Sequence, residues 1–206
     1  MVLVSHKYKF IYIKNKKVAG SSVESFFGKY CQDPNKKYCY NDTIDESIDE
    51  FGIIGSRMKG KSQNWSSHKS AESIKNDLGD DIFEKYLKFC IIRNPYDKMV
   101  SKYYWKKSTE RFKDFAKNNN VSNLEIHSIE NKSVCDYFIR YEHLEEDIIK
   151  LCKLLGIKDY YNNYLPTHKS NYRKDKSFYR KFYDEVTKKI VYMNHIKEFK
   201  LFGYYF

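Results

Sequence analysis

Two stretches of this 206-residue chain put cations and hydroxyls where a backbone turn can present them to an anion. The first is Lys16-Lys17-Val18-Ala19-Gly20-Ser21-Ser22, which follows the apolar run Phe10 to Ile13 and precedes a helical segment ending near Phe27. A strand, a short Gly-containing turn and a helix N-terminus offer backbone N–H groups that no intrahelical carbonyl uses, which is an anion-binding arrangement. An ordinary β–α turn with surface lysines has the same local spacing. It is not a Walker loop, because GxxxxGK[ST] is absent and the lysine comes before the glycine. The second stretch is Arg93-Asn94-Pro95 through Ser101, after the apolar run Phe89 to Ile92. Asn94 can cap a helix with Pro95 at its first position, and Ser101, two turns further on, returns to the cap's side. Arg93 and Ser101 can then converge at the strand's carboxyl end, which suits a phosphate; a structural salt bridge at Arg93 fits the same pattern. His68 sits on a loop before a helix capped near Ser70. A neutral imidazole there could take a proton from a hydroxyl, and a surface or substrate-binding histidine is the alternative. His168, in the basic loop Pro166 to Lys174, is the reserve candidate.

The elements that would position these residues follow from periodicity and turn signals. Phe10 to Ile13 and Phe89 to Ile92 read as buried strands, and Phe138 to Tyr141 reads as a third. Helices are expected from the glycine-serine turn to Phe27, with Gly28 as its C′ residue, from Ser70 to before Gly79, and over Asp81 to Leu87. Leu144, Ile148, Leu151, Cys152 and Leu155 recur at helical spacing and Gly156 ends that helix. Glu142, Glu145, Glu146 and Asp147 crowd its start, where the helix dipole favours them, and are structural rather than catalytic. Residues 106–133 are charged and Asn-rich and read as an excursion between helices. A helix carrying Tyr179, Phe182, Tyr183, Val186 and Ile190 precedes an aromatic tail. The alternation of strands and helices predicts an α/β fold in one domain over residues 1–206.

Bulk properties narrow the class. Hydrophobic residues make up 41% of the chain, so it is expected to fold rather than stay disordered. With 38 Lys and Arg against 27 Asp and Glu the net charge is +11, which favours polyanionic partners such as nucleotides and acidic glycans. The cysteines Cys31, Cys39, Cys90, Cys135 and Cys152 are odd in number and form no CxxC pair, which points to a reducing compartment. No signal peptide or transmembrane run is read, so a cytoplasmic location is expected. No His, Cys or carboxylate set has metal-ligand spacing along the sequence, so the reaction is expected to need no metal.

KKVAGSS after a first strand and FCIIRNPYDKMVS at a later one together resemble the sulfotransferases that use 3′-phosphoadenosine 5′-phosphosulfate (PAPS), and match the carbohydrate branch best. IRYEHLEEDIIKLCKLLGI and the closing LFGYYF also resemble that branch, so the likeness spans most of the chain. The resemblance implies a P-loop-like three-layer α/β fold with a central, mainly parallel sheet flanked by helices. Residues 30–67 and 106–133 would be substrate-side loops or insertions. It implies that Lys17, Val18, Ala19, Gly20, Ser21 and Ser22 hold the 5′-phosphosulfate, that Arg93 and Ser101 hold the 3′-phosphate, and that Arg173 matches a segment closing over the nucleotide. His68 matches the base candidate, and Lys17 the lysine that meets the sulfuryl group. Lys16 stands where relatives carry proline, so either lysine could take that role. PAPS would be the co-substrate, adenosine 3′,5′-bisphosphate the product and a glycan hydroxyl the acceptor, with no stable nucleic-acid partner. Two other classes fit parts of the sequence. A nucleotide phosphotransferase lacks its Walker lysine–serine pair here, and a basic nucleic-acid-binding module lacks any RNP, zinc-finger or helix-turn-helix pattern.

Overall fold

A computed structural model describes residues 1–41, 43–158, 160, 175 and 177–206. The chain divides into two compact units, the described residues of Met1–Ile92 with Leu124–His168 and those of Arg93–Asn123 with Lys169–Phe206.

The first unit is built on a six-stranded sheet. Its strands are β1 (Leu3–Ser5), β2 (Phe10–Tyr12), β3 (Ser47–Asp49), β4 (Gly52–Ile54), β5 (Leu87–Ile92) and β8 (Tyr137–Arg140), in the order β3-β4-β1-β2-β5-β8. A separate hairpin pairs β6 (Ser128–Ile129) with β7 (Lys132–Ser133). The parallel pairing expected from the sequence holds for β2 with β5 and for β5 with β8. The pairings of β1 with β2 and of β3 with β4 are antiparallel because short turns join them, and β1 pairs antiparallel with β4 as well. Helix α1 (Gly20–Phe27) and helix α7 (Leu144–Leu154) pack on one face. There Phe27 meets Phe10 and Phe89 at ring separations of 5.6 and 5.1 Å, and Ile148, Leu151 and Cys152 join the same core. Each such buried aromatic contributes roughly 1.5–3 kcal/mol. Helix α2 (Ala71–Leu78) is capped by Ser70 as its sequence predicts, the side chain accepting the Ser73 N–H at 3.2 Å. Helix α3 (Asp80–Lys85) lies by the other face, where the Lys88 ammonium donates to the Phe83 carbonyl at 3.1 Å. Helix α6 (Leu124–His127) leads into the small hairpin.

The second unit consists of α4 (Pro95–Trp105), α5 (Phe112–Asn118), α8 (Glu185–Asn194) and α9 (Ile196–Phe202). Tyr96, Met99, Val100, Phe115, Val191 and Phe199 form its core, and Phe206 stacks edge-on against Tyr96 at 4.9 Å. Buried beside that core, the Lys98 ammonium meets the Glu198 carboxylate at 2.9 Å with both side chains under 5% exposed.

Three expectations change. Gly28 does not end α1 in the left-handed region; its φ is −58° and a 3-10 turn continues to Cys31. A Cβ there would fall 2.1 Å from the Tyr38 ring, so glycine is required by close approach. Residues 106–133 are not one excursion but hold α5, α6 and the β6–β7 hairpin. The expected helix through Tyr179 and Ile190 is split into a 3-10 turn and α8, because the Asp184 carboxylate caps the Thr187 N–H at 2.6 Å. Among the described residues no helix is long and apolar enough to cross a membrane.

Glu198→Ala leaves the Lys98 ammonium buried without its carboxylate. It is expected to lower unfolding stability by about 3–5 kcal/mol, and the double variant Lys98→Met, Glu198→Leu to recover most of that loss. Urea titrations of the two proteins against the parent check both outcomes.

Candidate functional site

The exits of β2 and β5 are tied together. The Ile13 N–H donates to the Phe89 carbonyl at 2.9 Å, and the Asn15 side-chain amide donates to the Ile91 carbonyl at 2.9 Å. Ligands of open α/β sheets bind outside such carboxyl ends. From Asn15 the chain turns into α1 through Lys17 and Ala19, both at φ 62°. Non-glycine residues seldom occupy that left-handed region, and they do so where the surroundings over-determine it. Ala19 is the N-cap of α1, without a side-chain cap, and its carbonyl accepts the Ser22 N–H at 3.0 Å. A left-handed residue followed by a helical one turns successive N–H groups into an anion-binding concavity, and the Gly20 and Ser21 amides that open α1 have no intrahelical acceptor. The turn lies close upon β2: a Cβ on Gly20 would come within 3.0 Å of the Tyr12 hydroxyl and 3.2 Å of the Lys14 side chain. The Tyr12 hydroxyl and Asn15 Oδ1 are buried with no hydrogen-bond partner among the described residues. Buried polar atoms are ordinarily paired, so a polar group bound beside this turn fits them.

Beneath the turn lies a buried charge. Glu24, fully buried on α1, receives the Lys14 ammonium at 2.7 Å and lies 3.9 Å from the Arg57 guanidinium. Burial pushes its carboxyl up, but the Met1 amino group and the Lys14 ammonium outweigh that and hold it below the ordinary carboxylate value. Arg57 also reaches the Ser21 hydroxyl at 3.5 Å and lies over the Tyr40 ring at 4.1 Å. Ser21 and Ser22 are themselves buried, and Lys17 is half-buried.

His68 belongs to the same unit. Its Nδ1 lies 3.0 Å from the Lys14 carbonyl oxygen. A carbonyl only accepts, so Nδ1 carries the proton and Nε2 the lone pair. Burial, then the positive charge of Lys14, lowers its pKa from 6.5 to about 4. The imidazole is therefore neutral near pH 7, with an accepting nitrogen.

Arg93 and Ser101 belong to the second unit. Asn94 caps α4 as expected, its side chain accepting the Tyr96 N–H at 3.0 Å, with Pro95 at the first position. Arg93, the residue after β5, is buried and its Nε and Nη2 donate to Asp97 at 2.8 and 2.7 Å. The local salt bridge that its sequence also allowed is thus present. Ser101 is half-buried on α4. Arg173 and His168 lie outside the described residues. Of the candidates, the first unit brings together the turn Lys17, Val18, Ala19, Gly20, Ser21 and Ser22 with His68. Sequence reasoning missed Tyr12, Lys14, Asn15, Glu24 and Arg57, which support that turn. Only the lone charged residue of α1, Glu24, signals them in the sequence.

A family model described as "Sulfotransferase family" matches residues 1–205, and the chain belongs to that family. A protein of Archaeoglobus fulgidus, described as an uncharacterized protein, is 35% identical over 97 residues, covering 42% of this chain and 81% of that relative. No solved structure matches the chain.

His68 binds its proton less readily folded than unfolded, so between its ordinary pKa of 6.5 and about 4 the unfolded state holds more protons. It therefore removes stability as pH falls through that window and contributes none of this effect above it. His68→Asn is expected to lose less melting temperature than the parent between pH 7 and pH 4.5. Paired thermal melts across that range read the difference, which isolates His68 from the carboxylates that titrate alongside it.

Proposed function

We propose that this member of the sulfotransferase family takes its sulfuryl group from PAPS and delivers it to a hydroxyl, most readily one on an acidic or neutral carbohydrate. The observation that carries the reading is the turn at the joined exits of β2 and β5, with left-handed Lys17 and Ala19, an uncapped helix N-terminus and buried polar atoms awaiting a partner. The net charge of +11 supports an anionic ligand.

When bound, PAPS supplies an activated sulfuryl group whose bond to the 5′-phosphate breaks as the bond to the acceptor oxygen forms. The turn's amides and the Lys17 ammonium hold the phosphosulfate and stabilise charge gathering on the departing phosphate oxygen, preorganised as in phosphoryl transfer. Lys17 takes this role ahead of Lys16 because it is half-buried within the left-handed turn whereas Lys16 is exposed. Ser21 and Ser22 add hydroxyl donors. His68 Nε2 receives the acceptor's proton. A positive field from Lys14 and Lys16 depresses His68, so an anionic donor beside the turn offsets that field and raises its basicity when substrate is present. Arg93 and Ser101 are assigned to the 3′-phosphate on their match to the family's second loop, and Arg173 to the nucleotide on the same ground. The carboxylates of α7 stay structural: Asp147 is buried and bidentate with Arg140 at 2.8 and 2.7 Å.

Adenosine 3′,5′-bisphosphate is expected to raise the melting temperature, with the gain reduced in Lys17→Ala and Arg93→Ala, while ATP with Mg²⁺ gives less. Stabilisation by an oligonucleotide alone, with a steep salt dependence, contradicts the reading. His68→Ala is expected to lose turnover with labelled PAPS and a glycan panel by about 10²-fold or more while keeping bisphosphate affinity. Unchanged turnover places the base elsewhere.

A further inference from the structure

Three residues distant in sequence, none of them in the turn that holds the candidate site residues, meet on the first unit's sheet. Cys90 lies in the middle of β5, His127 ends α6 and Cys135 comes just before β8. One ligand atom from each lies within 4.8 Å of the others. Cys90 and His127 are fully buried, and Cys135 is half-buried.

The backbone holds this cluster in place. The Val134 N–H donates to the His127 carbonyl at 3.0 Å, which folds the hairpin back onto the end of α6. The Asp136 N–H donates to the Lys88 carbonyl at 2.8 Å, and the Asp136 carboxylate accepts the Lys88 N–H at 2.7 Å. Asp136 is thereby fixed beside Lys88, which shares a side of β5 with Cys90 by strand alternation, and its neighbour Cys135 brings its sulfur to the cluster.

Ser133 Oγ receives the Cys135 N–H at 3.3 Å and lies 3.0 Å from His127 Nδ1 and 3.3 Å from the His127 carbonyl. Metal binding through Nε2 requires the proton on Nδ1, where that hydroxyl can accept it. Nε2 is then the nitrogen with a lone pair, and it is buried. A hydroxyl holding the far ring N–H is the support that orients a metal-bound histidine.

The geometry points to a zinc site formed by Cys90, His127 and Cys135. Two thiolates and an imidazole are a soft donor set that suits zinc. Zinc bonds of about 2.3 Å to sulfur and about 2.0 Å to nitrogen put tetrahedral ligands roughly 3.4–3.8 Å apart, so the side chains close by about an ångström to bind. Both thiols lose a proton as they bind. The ion ties α6 and the segment before β8 to β5, and water at the half-buried Cys135 side supplies the fourth ligand. Its role is structural and independent of sulfuryl transfer.

The test uses the full chain, reduced, stripped with a chelator and titrated with Co²⁺. One equivalent is expected to bind with a thiolate-to-cobalt charge-transfer band, and one equivalent of Zn²⁺ to abolish that band. Cys135→Ser and His127→Gln are expected to lose it, and Cys31→Ser and Cys39→Ser to keep it. Zn²⁺ is also expected to raise the melting temperature of the parent and not of Cys135→Ser, whose half-buried position allows folding without metal. A folded parent with no charge-transfer band, or a band that persists in Cys135→Ser, overturns the site.

Discussion

The structure of the candidate site depends on one buried charge. Glu24 sits on α1 with no exposure to solvent, where an isolated carboxylate would be costly. The Met1 amino group and Lys14 from the end of β2 keep it ionised, and Arg57 from beyond β4 lies 3.9 Å away. Those ion pairs fix α1 against β2 and so set the path of the turn between them. They also hold Lys14, whose carbonyl in turn orients His68. One carboxylate thus couples the turn proposed to hold the phosphosulfate to the side chain proposed as base. Removing it would leave cations packed under a turn that already carries two left-handed non-glycine residues.

The two loops were legible in the sequence because both rest on local rules. Asn94 before Pro95 is a helix start by cap chemistry alone, and Ser70 is another. Apolar runs marked β2 and β5 to within a residue or two, since burial on both faces demands continuous hydrophobicity, and the half-buried edge strand β8 was marked to within one residue. The edge of the sheet was less legible. β1, β3 and β4 are three residues each, too short for alternation to register, and the β1–β4 pairing that joins the two hairpins comes from tertiary contact. Gly28 shows the same limit in reverse. Its position suggested a helix stop, but the reason for glycine is a Tyr38 ring ten residues away in sequence.

The residues proposed for the site have a spacing that the sequence shows, and those packed around them do not. Lysine, glycine and serine in a turn have a recognisable spacing, whereas Tyr12, Lys14, Glu24 and Arg57 act through contacts that no spacing encodes. Cys90, His127 and Cys135 are the same case: their separations of 37 and 8 positions resemble no ligand motif, and only strand pairing and the small hairpin bring them together. Arg93 had two readings by sequence, and its bond to Asp97 shows that a structural pairing accompanies whatever else it holds.

The most direct test of the central claim, that the turn from Lys17 to Ser22 holds the phosphate end of a nucleotide, is an ¹⁵N NMR titration with adenosine 3′,5′-bisphosphate. The largest amide shifts are expected at Gly20 and Ser21, saturating with the same affinity as a change in the His68 ring signals. Binding that leaves those amides unmoved, with its shifts confined to other residues, would contradict it.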